Sequence, residues 1–182
     1  MERVMAADGT QGALRQLQKE GIARWIGSAA NDPGTNADYI ETGEFDAAVI
    51  PECWSLLNQR ARNRILPAAE KHNVGLVGAT ALERGLLATG PVSGTNYLAR
   101  NFTQDVLDHV AVIQALCGDH GVPLGAVALA WCTRHPQVAS TIPGARVASE
   151  ARANAAAAAV EIPAQLWDDL EPMVRHWPVS QI

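Results

Sequence analysis

The sequence predicts an α/β fold built on a parallel sheet, and three observations carry that prediction. Short, continuous apolar runs recur at Phe45–Ile50, Val74–Val77 and Val138–Ile142, the pattern of strands covered on their faces rather than half in water. Turn chemistry follows each run. Segments of helical periodicity separate the runs, so consecutive strands are joined by helical crossovers and run parallel. The rhythm fits both an open doubly wound sheet and a segment of a closed barrel. No G-x-G-x-x-G follows the first strand, which counts against the open dinucleotide-binding sheet.

In chain order, Gly12–Glu20 sets Ala13, Leu14 and Leu17 at helical spacing, and Gly21 stops that helix. Ile22–Gly27 reads as the first strand, Asn31–Gly34 as a turn, and the residues around Ala37–Glu41 as a short helix. Phe45–Ile50 is the second strand. A helix over Asn58–His72 follows, with Leu57, Ile65, Leu66 and Ala69 on one face, and Val74–Val77 is the third strand. Gly85–Phe102 is a connection rich in Gly, Ser, Thr and Asn, long enough to be functional. Helices over Thr103–His120 and Pro123–Arg134 come next, the second opened by its proline and apolar at Leu124, Val127, Ala128 and Trp131. Val138–Ile142 is the fourth strand, ended by Pro143-Gly144. Glu150–Val160 is Ala-rich and helix-prone, and Pro163–Arg175 closes the chain as a helix bearing Leu166, Leu170 and Val174. A single partial domain over residues 1–182 accounts for all of these elements.

Composition narrows the function. A hydrophobic share of 48% with 18% charged residues belongs to a chain that folds around a core. The 14 Lys plus Arg against 19 Asp plus Glu are scattered, which disfavours nucleic acid and anionic membranes as partners. Cys53, Cys117 and Cys132 are far apart and form no C-x-x-C pair, so neither a disulfide framework nor a metal site is expected. Met1–Thr10 has no apolar stretch, and no run approaches the roughly 20 apolar residues of a membrane span. A cytoplasmic protein is the expectation.

Four segments at strand ends decide between the architectures. Ile26-Gly27-Ser28-Ala29-Ala30-Asn31, Trp54-Ser55-Leu56-Leu57-Asn58-Gln59, Gly85-Leu86-Leu87-Ala88-Thr89-Gly90-Pro91 and Ile142-Pro143-Gly144-Ala145-Arg146 occur in this order. Together they resemble the aldo-keto reductases, most closely the branch of D-threo-aldose, L-fucose and galactose dehydrogenases. The resemblance implies a parallel (β/α) TIM-type barrel, of which this chain corresponds to the C-terminal half, strands five to eight. A full barrel needs about 250 residues, more than the 182 present. It further implies an oxidoreductase using NAD or NADP on an aldose or related carbonyl or lactol. The family's acid Tyr, with its Lys, Asp and His, belongs to the other half, so no catalytic residue is assigned here. A non-catalytic cofactor-binding remnant is the alternative.

By the same resemblance, Asn31 would hold the nicotinamide carboxamide, and Thr80 and Leu82 would meet the pyrophosphate. Gly144, Ala145 and Arg146 would pass close to the phosphate or adenine, with Glu150 and Asn154 at the adenosine end. Each segment also fits ordinary turn chemistry. Trp54 is assigned to the wall of a substrate pocket, with core packing as its competing role. The sequence departs from the family at Ala79, where relatives carry a stacking Tyr, at Pro51 and at Ala153. Glu150 opens a helix where NADP-preferring relatives carry Arg, which favours NAD slightly. The five histidines are read as non-catalytic, and Cys53 as unreactive unless its pKa is depressed. Half a barrel leaves two open sheet edges, so a homodimer or a separate N-terminal half is the expected partner.

Overall fold

A computed structural model describes all 182 residues. Four short strands form one parallel sheet in chain order: β1 Gly27–Ala29, β2 Ala47–Ile50, β3 Gly75–Gly78 and β4 Val138–Thr141. Gly27 lies opposite Ala47 and Ala47 opposite Gly75, while a register irregularity at Leu76/Val77 offsets β4. Two helices, α1 Glu2–Met5 and α2 Thr10–Lys19, precede the sheet. Crossovers are made by α3 Pro33–Glu41, by α4 Ile65–His72, and by the run α5 Leu86–Thr89, α6 Gln104–Asp119 and α7 Leu124–Thr133. Beyond β4 lie α8 Ala148–Ala157 and α9 Ala164–Leu170.

The pleat sorts the sheet into two faces. Ala48, Ile50, Leu76 and Val138 are buried beneath the helices, whereas Ala47, Val49, Gly75 and Val77 on the other face are only half-buried. The core therefore lies on one side. α7 is its centre, with Leu124, Ala126, Val127, Ala128, Leu129, Trp131 and Cys132 all buried, which is why its sequence is apolar almost all round. β1 and β4 each pair with one neighbour, leaving both outer edges without a partner strand in this chain.

Three boundaries differ from the sequence reading. The first strand is not Ile22–Gly27 but Gly27–Ala29, because the Ile22 and Ala23 amides both donate to the Leu17 carbonyl at 3.0 and 3.2 Å and so belong to the end of α2. Gly21, at φ 73°, makes that turn possible. Ile22 and Trp25 are consequently exposed, at 71% and 69%. α3 begins at Pro33 rather than Ala37, since Asp32 caps it by accepting from the Thr35 amide at 2.7 Å and proline sits in its first turn. Asn58–His72 is helical only from Ile65, after a 3-10 turn at Arg60–Arg62. Here the side chains of Asn58 and Gln59 bond to loop carbonyls, Glu52, Ser55 and Leu56, and hold a non-helical approach.

The last predicted helix is also shorter than Pro163–Arg175. α9 stops at Leu170, where Pro172 allows only a 3-10 turn, and the remaining tail folds back over the core. The Trp177 amide donates to Leu57 O at 2.9 Å and the Thr103 amide to Gln181 O at 3.1 Å.

Candidate cofactor site

A cavity of about 710 Å³ opens at the C-terminal ends of β3 and β4, within the usual range for small-molecule and cofactor sites. This is the end of a parallel sheet at which ligands bind, because strand-end loops there are free to vary. One wall is the turn after β3, with Thr80, Leu82 and Arg84. The opposite wall is Ile142–Arg146, after β4, continued by Glu150 and Asn154 on α8. Asn96 and Tyr97, from the long connection, form the rim.

The second wall is organised by local hydrogen bonds. Glu150 accepts from the Arg146 amide at 2.7 Å and from the Arg146 guanidinium at 2.7 and 3.1 Å, so one carboxylate fixes both backbone and side chain. Asn154 Nδ2 donates to Gly144 O at 3.1 Å. The guanidinium holds the Glu150 carboxyl below its ordinary value, and the carboxylate raises Arg146 in return. No heavy atom lies within 4 Å of where a Gly144 side chain would begin. Glycine is therefore not demanded by the protein's own packing there; its effect is to leave the backbone open to the cavity.

Glu52, just after β2, faces the first wall. It accepts from Arg84 and, at 3.0 Å, from Arg100. Burial pushes its pKa up, but the two guanidinium groups outweigh burial and the carboxyl sits below its ordinary value. Behind the rim, Tyr97 Oη donates to Gly90 O at 3.2 Å and accepts from the Val92 amide at 2.7 Å. Gly90 takes a left-handed backbone at φ 74°, a conformation that favours glycine, with the Gln114 side-chain amide lying over it.

The structure brings seven of the nine assigned residues together: Thr80, Leu82, Gly144, Ala145, Arg146, Glu150 and Asn154 all line this cavity. Asn31 and Trp54 do not. Asn31 is exposed at the end of β1, on the far side of the sheet order from β3 and β4. Trp54 is 3% exposed and stacks on Trp131 of α7 at 4.8 Å, with its indole N–H donating to Cys132 O at 3.0 Å. It belongs to the packing between the loop after β2 and α7, and its remaining edge lines a separate, smaller cavity of about 320 Å³ with Arg62, Glu70 and His135, away from the β3 and β4 ends. Sequence reasoning did not single out Glu52, Arg84, Arg100 or Tyr97. Glu52 follows an apolar strand, and that position was the available signal.

The cysteines are buried away from this chemistry. Burial pushes the Cys53 and Cys132 thiols to about 12 and Cys117 to about 11, which leaves all three protonated.

A model of the aldo/keto reductase family matches residues 3–175. The chain belongs to the aldo/keto reductase family. It is 32% identical over 161 residues to D-threo-aldose 1-dehydrogenase of a Pseudomonas species, covering 87% of this chain and 48% of that protein. It is 28% identical over 158 residues to the NADH-specific methylglyoxal reductase of Escherichia coli, covering 81% and 48%. The chain thus spans about half the length of these curated relatives. Among solved structures, the holo form of an aldo-keto reductase from Bacillus halodurans superposes with a TM-score of 0.71 at 24% identity, covering 92% of this chain and 56% of that one. A TIM-type fold accommodates this parallel sheet and the aldo/keto reductase structures it superposes on. Both of these curated relatives are oxidoreductases by name.

Proposed function

We propose that this chain is the cofactor-binding half, strands five to eight, of an NAD(P)-dependent aldo/keto reductase barrel acting on an aldose or a related carbonyl or lactol. The observation that carries this reading is the convergence of Thr80, Leu82, Gly144–Arg146, Glu150 and Asn154 on a single cavity at the ends of β3 and β4. A nicotinamide dinucleotide supplies hydride transfer when bound. The residues present fit its phosphate and adenosine parts. Thr80 offers a hydroxyl and a backbone turned to φ 67°, and the open Gly144 backbone admits close approach beside the guanidinium groups of Arg84 and Arg146, each of which is paired with a carboxylate.

NAD is favoured over NADP. Arg146 already has a carboxylate partner in Glu150, so a 2′-phosphate would have to displace that carboxylate or sit beside it. Asn31 remains the candidate for the nicotinamide carboxamide, outside the adenosine-end cavity. The open outer edges of β1 and β4 favour a partner, either a second copy or the complementary half barrel.

The test is a competition experiment on the folded chain. NAD and NADP should displace a fluorescent adenine-dinucleotide probe, and a phosphosugar should not. Displacement by the phosphosugar alone would assign the cavity to another phosphate-binding barrel. Aldose-dependent reduction of NAD, assayed alongside, separates an active oxidoreductase from a module that only binds.

A further inference from the structure

The turn that forms the first wall of the cavity is strained. Thr80, Glu83 and Arg84 have φ of 67°, 42° and 53°, in the region that side chains disfavour, and Gly85 follows at 104°. Bonds from the Glu83 amide to Thr80 O at 3.0 Å and from the Gly85 amide to Leu82 O at 2.9 Å shape the turn internally. They do not tie it to the rest of the protein. Glu83 does, because its side chain is 1% exposed while its neighbours Leu82 and Arg84 line the cavity.

Ser55, in the loop after β2, donates its hydroxyl proton to Glu83 Oε1. The same hydroxyl oxygen accepts from the Leu57 and Asn58 amides at 3.2 and 3.0 Å, so its direction is fixed. Glu83 Oε2 is buried without a partner. The nearby guanidinium groups of Arg84 and Arg100 are both engaged by Glu52, and the other titratable neighbours are the Cys53 and Cys132 thiols. A carboxylate with one neutral donor and a bare buried oxygen is costly, whereas a neutral acid is tolerated.

We propose that Glu83 is a positioning residue: clasped by Ser55, it pins the strained Thr80–Gly85 turn so that Thr80, Leu82 and Arg84 face the bound ligand. The identity of that ligand rests on the dinucleotide reading above; the clasp does not. Burial raises the Glu83 pKa above its ordinary value, more than the Ser55 hydrogen bond and the attraction of Arg100 lower it. The clasped state therefore holds a proton that the released state gives up. The clasp is fully present below the ordinary carboxylate value and weakens as pH rises towards the raised value, by up to about tenfold per pH unit.

The experiment is amide hydrogen exchange on the full chain without ligand, from mildly acidic to mildly alkaline pH and corrected for intrinsic rates. Protection of residues 82–87 should fall with rising pH in the wild type and stay at its acidic level at every pH in Glu83→Gln. Ser55→Ala and Glu83→Ala should lose it throughout, with α7 amides reporting that the core is intact. Wild-type protection that ignores pH, or a Glu83→Gln turn as unprotected as the alanine variant, would overturn the proposal, and the comparison with Glu83→Gln decides even if the alanine variants fail to fold. NAD affinity, measured in parallel, should follow the same pattern. A pH-dependent clasp in a chain that binds no dinucleotide would retire the cofactor reading and leave the clasp standing. NAD binding indifferent to both pH and Glu83→Gln would overturn the positioning role.

Discussion

Arg146 and Glu150 stand four residues apart and satisfy each other, although each was singled out for a ligand. That pairing makes a specific expectation about cofactor choice. Removing the carboxylate charge with Glu150→Gln frees the guanidinium for a 2′-phosphate, so the NADP to NAD affinity ratio should rise by roughly tenfold, as expected for a charge-assisted contact in a solvated site. Parallel titrations check this, and an unchanged ratio would remove Glu150 from the account. Trp54 carries the opposite expectation. Trp54→Ala should destabilise the fold by about 3–5 kcal/mol in denaturant unfolding, while dinucleotide affinity per folded molecule is retained. At this scale Thr80, Leu82 and Gly144–Arg146 were legible because they follow strand ends in turn-forming segments, and Glu150 and Asn154 on α8 through the family resemblance alone. The side to which Trp54 points was not, because an aromatic after a strand serves a pocket and a helix contact equally well. Nor was the Glu52, Arg84 and Arg100 cluster, whose members lie up to 48 residues apart and meet only in the folded chain.

The elements were legible where apolar periodicity was uninterrupted, as in α6, α7 and the last three strands, and blurred where side chains claimed backbone groups. α3 shows the mechanism. Asn31–Gly34 has turn composition, yet Asp32 uses it to start a helix by accepting from the Thr35 amide and hydroxyl. Those bonds hold the Asp32 carboxyl below its ordinary pKa. Its contribution to stability is therefore present above the ordinary carboxylate value and lost as pH falls through the depressed one. Asp32→Ala should lower stability at neutral pH, and the gap from the wild type should close on acidification. Thermal unfolding across acidic pH measures it, and a gap independent of pH would mean that the cap adds nothing through its charge. The Gly85–Phe102 connection hid α5 and a 3-10 turn at Tyr97–Ala99, because that backbone is fixed by the Tyr97 hydroxyl bonding to Gly90 and Val92, an aperiodic contact that no apolar pattern marks.

For the whole molecule, the class of sheet and the direction of its strands were legible from the apolar rhythm, whereas the half-covered face and the open edges were expected from the half-barrel resemblance and not from strand composition. Apolar strands imply two covered faces, but here the face bearing Ala47, Val49, Gly75 and Val77 is only half-covered and both outer edges lack partner strands. We expect the isolated chain to self-associate, with a sedimentation coefficient that rises with concentration in the micromolar range; a compact species constant over that range, with no dye-binding apolar surface, would contradict this. On the proposed function, the cavity between the β3 and β4 loops holds the dinucleotide. Calorimetric titration of NAD into the wild type and into Gly144→Val tests this, because a Cβ at residue 144 has none of the protein's own atoms within 4 Å. NAD should bind the wild type and bind the variant roughly tenfold or more weakly, through overpacking of the occupied site, with unfolding midpoints alike. Equal NAD affinity in the two proteins would contradict it.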